Sequence, residues 1–147
     1  MSIMKFCRLD PTAILPSYAT PGSAGADLYA LPSGDPVTIS PGETAFIRTG
    51  LAGAVPSGYV GLVFARSGLA CKQGLAPANK VGVIDSDYRG EWMIALYNQS
   101  DEPRTIHPGD RVAQFVLLPI LTPTFEVADS LDETDRGSGG FGSTGIQ

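Results

Sequence analysis

Glycine and proline interrupt this chain so often that no long helix fits between them. There are 18 glycines and 12 prolines among 147 residues. Turn-forming groups recur along most of the length, as Pro21-Gly22, Pro32-Ser33-Gly34, Pro41-Gly42, Pro56-Ser57-Gly58 and Pro108-Gly109. Proline fixes φ and removes a backbone donor, and glycine loses the most entropy on ordering, so each group ends an element. Between them lie short runs rich in β-branched and aromatic residues: 44–49 (TAFIRT), 59–64 (YVGLVF), 92–98 (WMIALYN) and 112–118 (VAQFVLL). Short strands separated by turn chemistry predict an all-β sandwich or barrel. Residues 91–102 could read as a helix, but Trp92, Ile94 and Leu96 alternate at period two, which favours a strand. One helical turn is expected over Ser67–Gln73. Phe125, Glu126 and Val127 alternate like an edge strand, and the acidic residues after them read as solvated linker. There is no internal repeat. The chain divides into a β domain over residues 1–135 and a glycine-rich tail over 136–147.

Charge and inventory narrow the chemistry. The formal net charge is −5 and the pI about 4.6, so nucleic-acid polymers are disfavoured as partners. No apolar run approaches the roughly 18 residues of a membrane span, and the opening MSIMKFCRLD does not read as a signal peptide. Cys7 and Cys71, far apart in sequence, read as buried or idle thiols in a reducing compartment, for which the cytoplasm is the expectation. A single bridge between them is left open. Structural zinc has too few sulfur and nitrogen ligands here, and the lone His107 sits in the turn IHPGD. Catalysis would therefore rest on carboxylates, arginines, hydroxyls or a hard metal ion.

Residues 82–91 (GVIDSDYRGE) are the most informative internal segment. Gly82, Val83 and Ile84 read as a strand entering a turn, and residues 91–98 as the returning strand of a hairpin. Asp87 sits deep in the turn and is favoured as a turn former. Asp85 ends an apolar strand, where desolvation or a nearby phosphate would tune it as a general base acting on water. Arg66, Ser67 and Gly68 follow the apolar run 59–64, and an arginine fork beside a hydroxyl suits phosphate oxygens. Asp27 lies among small and apolar residues, its neighbourhood reading as otherwise uncharged, with either a turn contact or a metal-bound water as its role. Gln114 interrupts an apolar strand, as a cross-strand hydrogen bond or a ligand contact. The tail RGSGGFGSTGIQ reads either as a disordered terminus or as an anion-binding flap, since consecutive glycine N–H groups can converge on a phosphate.

In this order the segments resemble the five motifs of the trimeric dUTP nucleotidohydrolases (dUTPases). The motifs are residues 24–30 (AGADLYA), 66–70 (RSGLA), 79–91 (NKVGVIDSDYRGE), 109–114 (GDRVAQ) and 136–145 (RGSGGFGSTG). The visible departure is Ala65, where the family often has proline, which changes loop stiffness and leaves the phosphate-binding groups intact. The resemblance implies a distorted jelly-roll (β-clip) fold, a homotrimer with active sites shared between subunits, and a flexible tail. It implies that Asn79 and the backbone of Gly82, Val83, Ile84 and Asp85 read the uracil edge, that Tyr88 packs on the deoxyribose, and that Met93 lines the same pocket. Arg66, Ser67, Gly68 and Gln114 would hold phosphates. Arg136, Ser143 and Thr144 would meet the γ-phosphate, with Gly142 in the same substrate-binding tail, and Phe141 would stack over uracil. Asp27 would reach Mg²⁺ through water.

The implied reaction is attack of an Asp85-activated water on the α-phosphorus of dUTP, giving dUMP and pyrophosphate. This would keep dUTP low and supply dUMP for thymidylate synthesis. Two other readings share the scaffold. A dCTP deaminase usually has a longer chain and lacks the sequence of residues 82–88. A non-catalytic binding protein would have lost a chemical group, yet Asp85, Asp27, Arg66 and the tail are all present.

Overall fold

The structure, a computed structural model, describes residues 3–140. The strands are β1 (Lys5–Arg8), β2 (Ala26–Tyr29), β3 (Val37–Ile39), β4 (Thr44–Ile47), β5 (Leu51–Ala54) and β6 (Tyr59–Phe64). The single helix α1 (Ser67–Gln73) follows, then β7 (Leu75–Pro77), β8 (Gly82–Ile84), β9 (Ile94–Asn98), β10 (Arg104–Ile106) and β11 (Arg111–Pro119). The all-β reading holds, and the four apolar runs and the helical turn fall where the sequence puts them. No helix among the described residues is long and apolar enough to cross a membrane.

Every strand pairing is antiparallel, and most join elements distant in sequence. One sheet runs β2-β11-β6-β8 and a second β4-β9-β7, with two-stranded pairs β1-β5 and β3-β10 alongside. Period-two burial explains the packing. In β9, Ile94, Leu96 and Asn98 point inward, and in β6 the buried positions are Gly61 and Val63. These side chains join Leu28, Ile39, Ile47, Leu75, Ile106, Val112 and Phe115 in one core. Each fully buried aliphatic or aromatic side chain stabilises the fold by about 1.5–3 kcal/mol. Trp92 closes the core, edge-on to Phe6 and tilted against Phe115, both with ring centroids 5.1 Å away. Helix α1 buries no residue, and it ends because Gly74 takes the left-handed conformation with φ of 70°.

Two expectations are corrected. Residues 82–84 and 91–98 do not form a hairpin: β8 pairs with β6, whereas β9 pairs with β4 and β7. The inward faces of β8 and β9 belong to different sheets, so the chain between them bridges sheets instead of turning within one. Phe125, Glu126 and Val127 form no strand either. The segment after β11 has no strand edge of its own chain beside it, and an unpaired strand gains nothing from its period-two pattern. It leaves Leu121, Phe125, Val127 and Leu131 between 88% and 97% exposed.

Candidate active site

The divergence of β8 from β9 creates a cleft. β8 is the last strand of its sheet, so one of its backbone edges faces β6 and the other has no strand beside it. That free edge borders a cavity of about 330 Å³ lined by Asn79, Gly82, Asp85, Tyr88, Met93 and Phe46, among others. Free backbone donors and acceptors in a largely apolar cleft suit a flat polar ring read along one edge. The side-chain amide of Asn79 lies over Gly82, with Nδ2 3.5 Å from where a Cβ would stand. Tyr88 N donates to Asp85 O at 3.2 Å, which closes the turn, and Arg89 Nη1 ties it further to Ser86 O and Tyr88 O at 2.8 Å each. Tyr88 Oη donates to Glu91 O at 3.0 Å, which holds the phenol ring down over Gly90. Any Cβ at Gly90 would overlap that ring, so the ring's position depends on a residue without a side chain. Glu91 anchors the whole segment through Gly50 N at 2.8 Å and Arg48 Nε at 3.1 Å.

Asp85 lines this cleft and Asp87 does not, which separates the two carboxylates as the sequence proposed. The expectation that Asp85 is desolvated is corrected, because it is exposed in the single chain. A three-residue strand on a sheet edge has no second layer of its own chain to cover it.

A second, polar cleft lies on the other side of β6. Asp27, Arg66, Ser67, Gly68 and Gln114 share it, and no residue lines both clefts. Ser67 and Gly68 open α1, where they are exposed. Gln114 Nε2 donates to Ala65 O at 2.8 Å, so its cross-strand role is realised within the cleft. The uncharged neighbourhood expected for Asp27 is also corrected. Arg66 Nε donates to Asp27 Oδ1 at 2.8 Å and Arg111 Nη1 to Oδ2 at 3.2 Å. Asp27 is only 8% exposed, and a buried carboxylate requires such partners.

The donor set limits how a metal could be held. Among the described residues no three His, Cys, Asp or Glu side chains cluster for direct coordination. Each Asp27 oxygen accepts one arginine N–H and keeps a further lone-pair direction, which fits a hydrated Mg²⁺ held through water and not a bare ion.

Arg136 is exposed, its Nε donating to Gly139 O at 2.8 Å, and it meets neither cleft. Phe141, Gly142, Ser143 and Thr144 lie outside the described residues. Cys7 and Cys71 are both free and exposed, so they are not buried thiols and do not bridge. Sequence reasoning did not single out Phe46, Glu91 or Arg111. The Arg in the GDRVAQ run was the one signal available for Arg111.

Comparison with known proteins agrees with this geometry. The sequence model of the dUTPase family matches residues 12–145. The deoxyuridine 5'-triphosphate nucleotidohydrolase of Desulfitobacterium hafniense is 56% identical, over 96% of this chain and 93% of that protein. The protein of the same name from Syntrophotalea carbinolica is 48% identical, over 97% of each. Among solved structures, the dUTPase of Staphylococcus bacteriophage 80alpha with dUPNHPP superposes with a TM-score of 0.89 at 28% identity, covering 99% of this chain and 100% of that one. The dUTPase of phage phi11, described with a structural Mg(II) ion, gives 0.77 at 28% identity, over 88% of this chain and 98% of that one. With its family model spanning nearly the whole sequence and relatives this similar, the chain belongs to the dUTPase family.

Proposed function

We infer that the chain is a dUTP diphosphatase, hydrolysing dUTP to dUMP and pyrophosphate. The observation that carries this is the free edge of β8 along a small cleft whose rim holds Asp85 and Tyr88. Uracil presents an N–H between two carbonyl oxygens, and fixed backbone groups of Gly82, Val83, Ile84 and Asp85, with the Asn79 amide, complement that pattern. Cytosine offers the opposite donor and acceptor there, and a buried mismatch is strongly penalised. Thymine adds a methyl group to a narrow cleft. Tyr88, held by its bond to Glu91, closes the space a 2′-hydroxyl needs, and Met93 completes the wall.

Asp85 accepts a proton from water, and the water oxygen bonds to the α-phosphorus. The bond from that phosphorus to the bridging oxygen breaks, and the leaving group departs as pyrophosphate. Arg66, Gln114, Ser67 and the Gly68 backbone orient the triphosphate so that attack is in line. Arg136, Gly142, Ser143 and Thr144 bring donors to the γ-phosphate, and Phe141 covers the base. Bound Mg²⁺ supplies charge neutralisation on the phosphates, with Asp27 holding it through water.

Two observations support a homotrimer with shared sites and a distorted jelly-roll subunit. The base cleft and the phosphate cleft have no lining residue in common within one chain. The segment after β11 also carries Leu121, Phe125, Val127 and Leu131 into water, and burial against a neighbouring subunit would recover about 1.5–3 kcal/mol for each of these side chains.

Pyrophosphate release from dUTP, dCTP, dTTP and UTP, with and without Mg²⁺, tests the reading. Selective, Mg²⁺-stimulated turnover of dUTP is expected. Ammonia release from dCTP, or tight nucleotide binding without turnover, would replace it by the deaminase or the binding protein.

A further inference from the structure

The face of β2 that carries Asp27 holds one arginine more than phosphate binding by Arg66 requires. Arg111 reaches Asp27 from 84 positions away in sequence, and both arginines engage the same carboxylate. The Asp27 side chain is 11% exposed, so these pairs form largely out of water. The Arg66 pair is single-pronged. A guanidinium facing an unobstructed carboxylate prefers two parallel bonds, one to each oxygen. Arg66 makes only the Nε bond to Oδ1, while its Nη1 leans to the Arg111 carbonyl at 3.4 Å. The second oxygen is occupied by Arg111 Nη1 at 3.2 Å.

A β-bulge makes this arrangement possible. Arg111 and Gln114 are three residues apart, so strict alternation would place them on opposite faces of β11. The register shifts between Arg111 and Ala113, so that Arg111 stands opposite Tyr29 and Gln114 opposite Asp27. Tyr29 and Asp27 are two apart on β2 and share a face, and Arg111 and Gln114 therefore share it too. The compensating cost is that Val112 and Ala113, consecutive residues, are both buried.

We propose that Arg111 is a positioning residue: by occupying Oδ2 of Asp27 it keeps Arg66 from closing a two-pronged pair with that carboxylate, leaving the outer N–H groups of Arg66 for the triphosphate. This rests on the reading of the polar cleft as the phosphate site. Without Arg111, Asp27 draws in the Arg66 fork, and the donors that meet substrate are spent inside the protein. Arg111 acts on substrate affinity through Arg66, and the Asp85 chemistry is untouched.

The test uses Arg111→Met, Arg111→Lys and Lys72→Met. Lys72 lines the neighbouring cleft beside Arg111 and has no hydrogen bond to Asp27, so it reports the loss of one positive charge alone. Affinity for the imido analogue of dUTP is measured by calorimetry, alongside kcat, KM and thermal unfolding. Arg111→Met is expected to raise the analogue Kd and the KM about tenfold, the scale of one lost charge-assisted contact, with kcat within about threefold. Arg111→Lys, whose ammonium can also occupy Oδ2, should recover most of that loss, and Lys72→Met should stay within about twofold. In an Asp27→Asn background, Arg111→Met should add little, because the carboxylate it guards is gone. Should Arg111→Met fail to fold, Arg111→Gln keeps one donor for Oδ2 and is expected between methionine and lysine. Wild-type affinity in Arg111→Met or Arg111→Gln, equal losses in Lys72→Met, or no recovery with lysine would overturn the proposal. A wild-type protein that neither binds the analogue nor turns over dUTP would instead refute the proposed function.

Discussion

Gly90→Ala should weaken substrate binding without touching the chemical step. The backbone of Gly90 lies outside the left-handed region, so alanine meets no conformational penalty there and the effect is steric. The added methyl would stand 2.6 Å from Tyr88 Cζ and 2.9 Å from Cε2. Restoring an ordinary contact of 3.4 Å or more moves the ring away by roughly 0.8 Å. That motion pulls the phenol from Glu91 O, now 3.0 Å away, and pushes it off its preferred rotamer. A neutral hydrogen bond contributes about 0.5–1.5 kcal/mol, and a rotamer distortion costs a similar amount. Taking about 1–2 kcal/mol as the part felt by the bound nucleotide, KM for dUTP rises about 5- to 30-fold. The preference for dUTP over UTP falls with it, since the ring no longer closes on the sugar, while kcat stays near wild type. Initial rates of pyrophosphate release on both nucleotides measure this. Tyr88→Phe should keep the preference, because the ring remains, and Gly90→Ala should have no further effect once Tyr88 is alanine. Unchanged KM and selectivity in Gly90→Ala, or full additivity with Tyr88→Ala, would refute the reasoning.

Three further outcomes are expected. Asp85→Asn keeps the shape of the cleft but not the base, so kcat should drop by about 10²-fold or more while the imido analogue binds within a few-fold; normal turnover would mean that another carboxylate activates water. Removing residues 136–147 should lower kcat/KM for dUTP by a similar order, about 10²-fold, and leave the sedimentation behaviour of the assembly unchanged; full activity would exclude the tail from the site. Asp10 accepts from Thr12 Oγ1 at 2.6 Å, Thr12 N at 2.8 Å and Ser33 Oγ at 2.9 Å, and these bonds, Thr12 first, hold its carboxyl below the usual value of 3.8. A lowered carboxyl contributes stability above its unfolded pKa and loses it as pH falls through the folded value. The stability gap between wild type and Asp10→Asn, read by chemical denaturation, should therefore be largest near neutral pH and close as pH drops below about 3, and a gap that widens in acid would show the opposite linkage.

Local chemistry settles much of this molecule. The run at residues 59–64 is a strand because its branched and aromatic side chains alternate inside and outside, and Ser67–Gln73 is the only helix because turn residues bound every other segment. The chemistry-bearing groups are legible for the same reason: Asp85 with Tyr88, and Arg66 with Ser67 and Gly68, are near neighbours, so their association needs no knowledge of the fold. Alternation misleads at Phe125, Glu126 and Val127, where the period is right and no partner edge exists.

Pairing belongs to tertiary structure. Nothing local says that β8 joins β6 and turns away from β9, yet that choice opens the base cleft. Nothing local says that Arg111 meets Asp27, because the bulge that puts Arg111 and Gln114 on one face arises only when β11 is laid against β2. Strand propensity and turn geometry depend on a few adjacent residues and can be read from them. Register and sheet partner depend on which distant segments bury the most apolar surface together, and that competition is decided only when the whole chain packs.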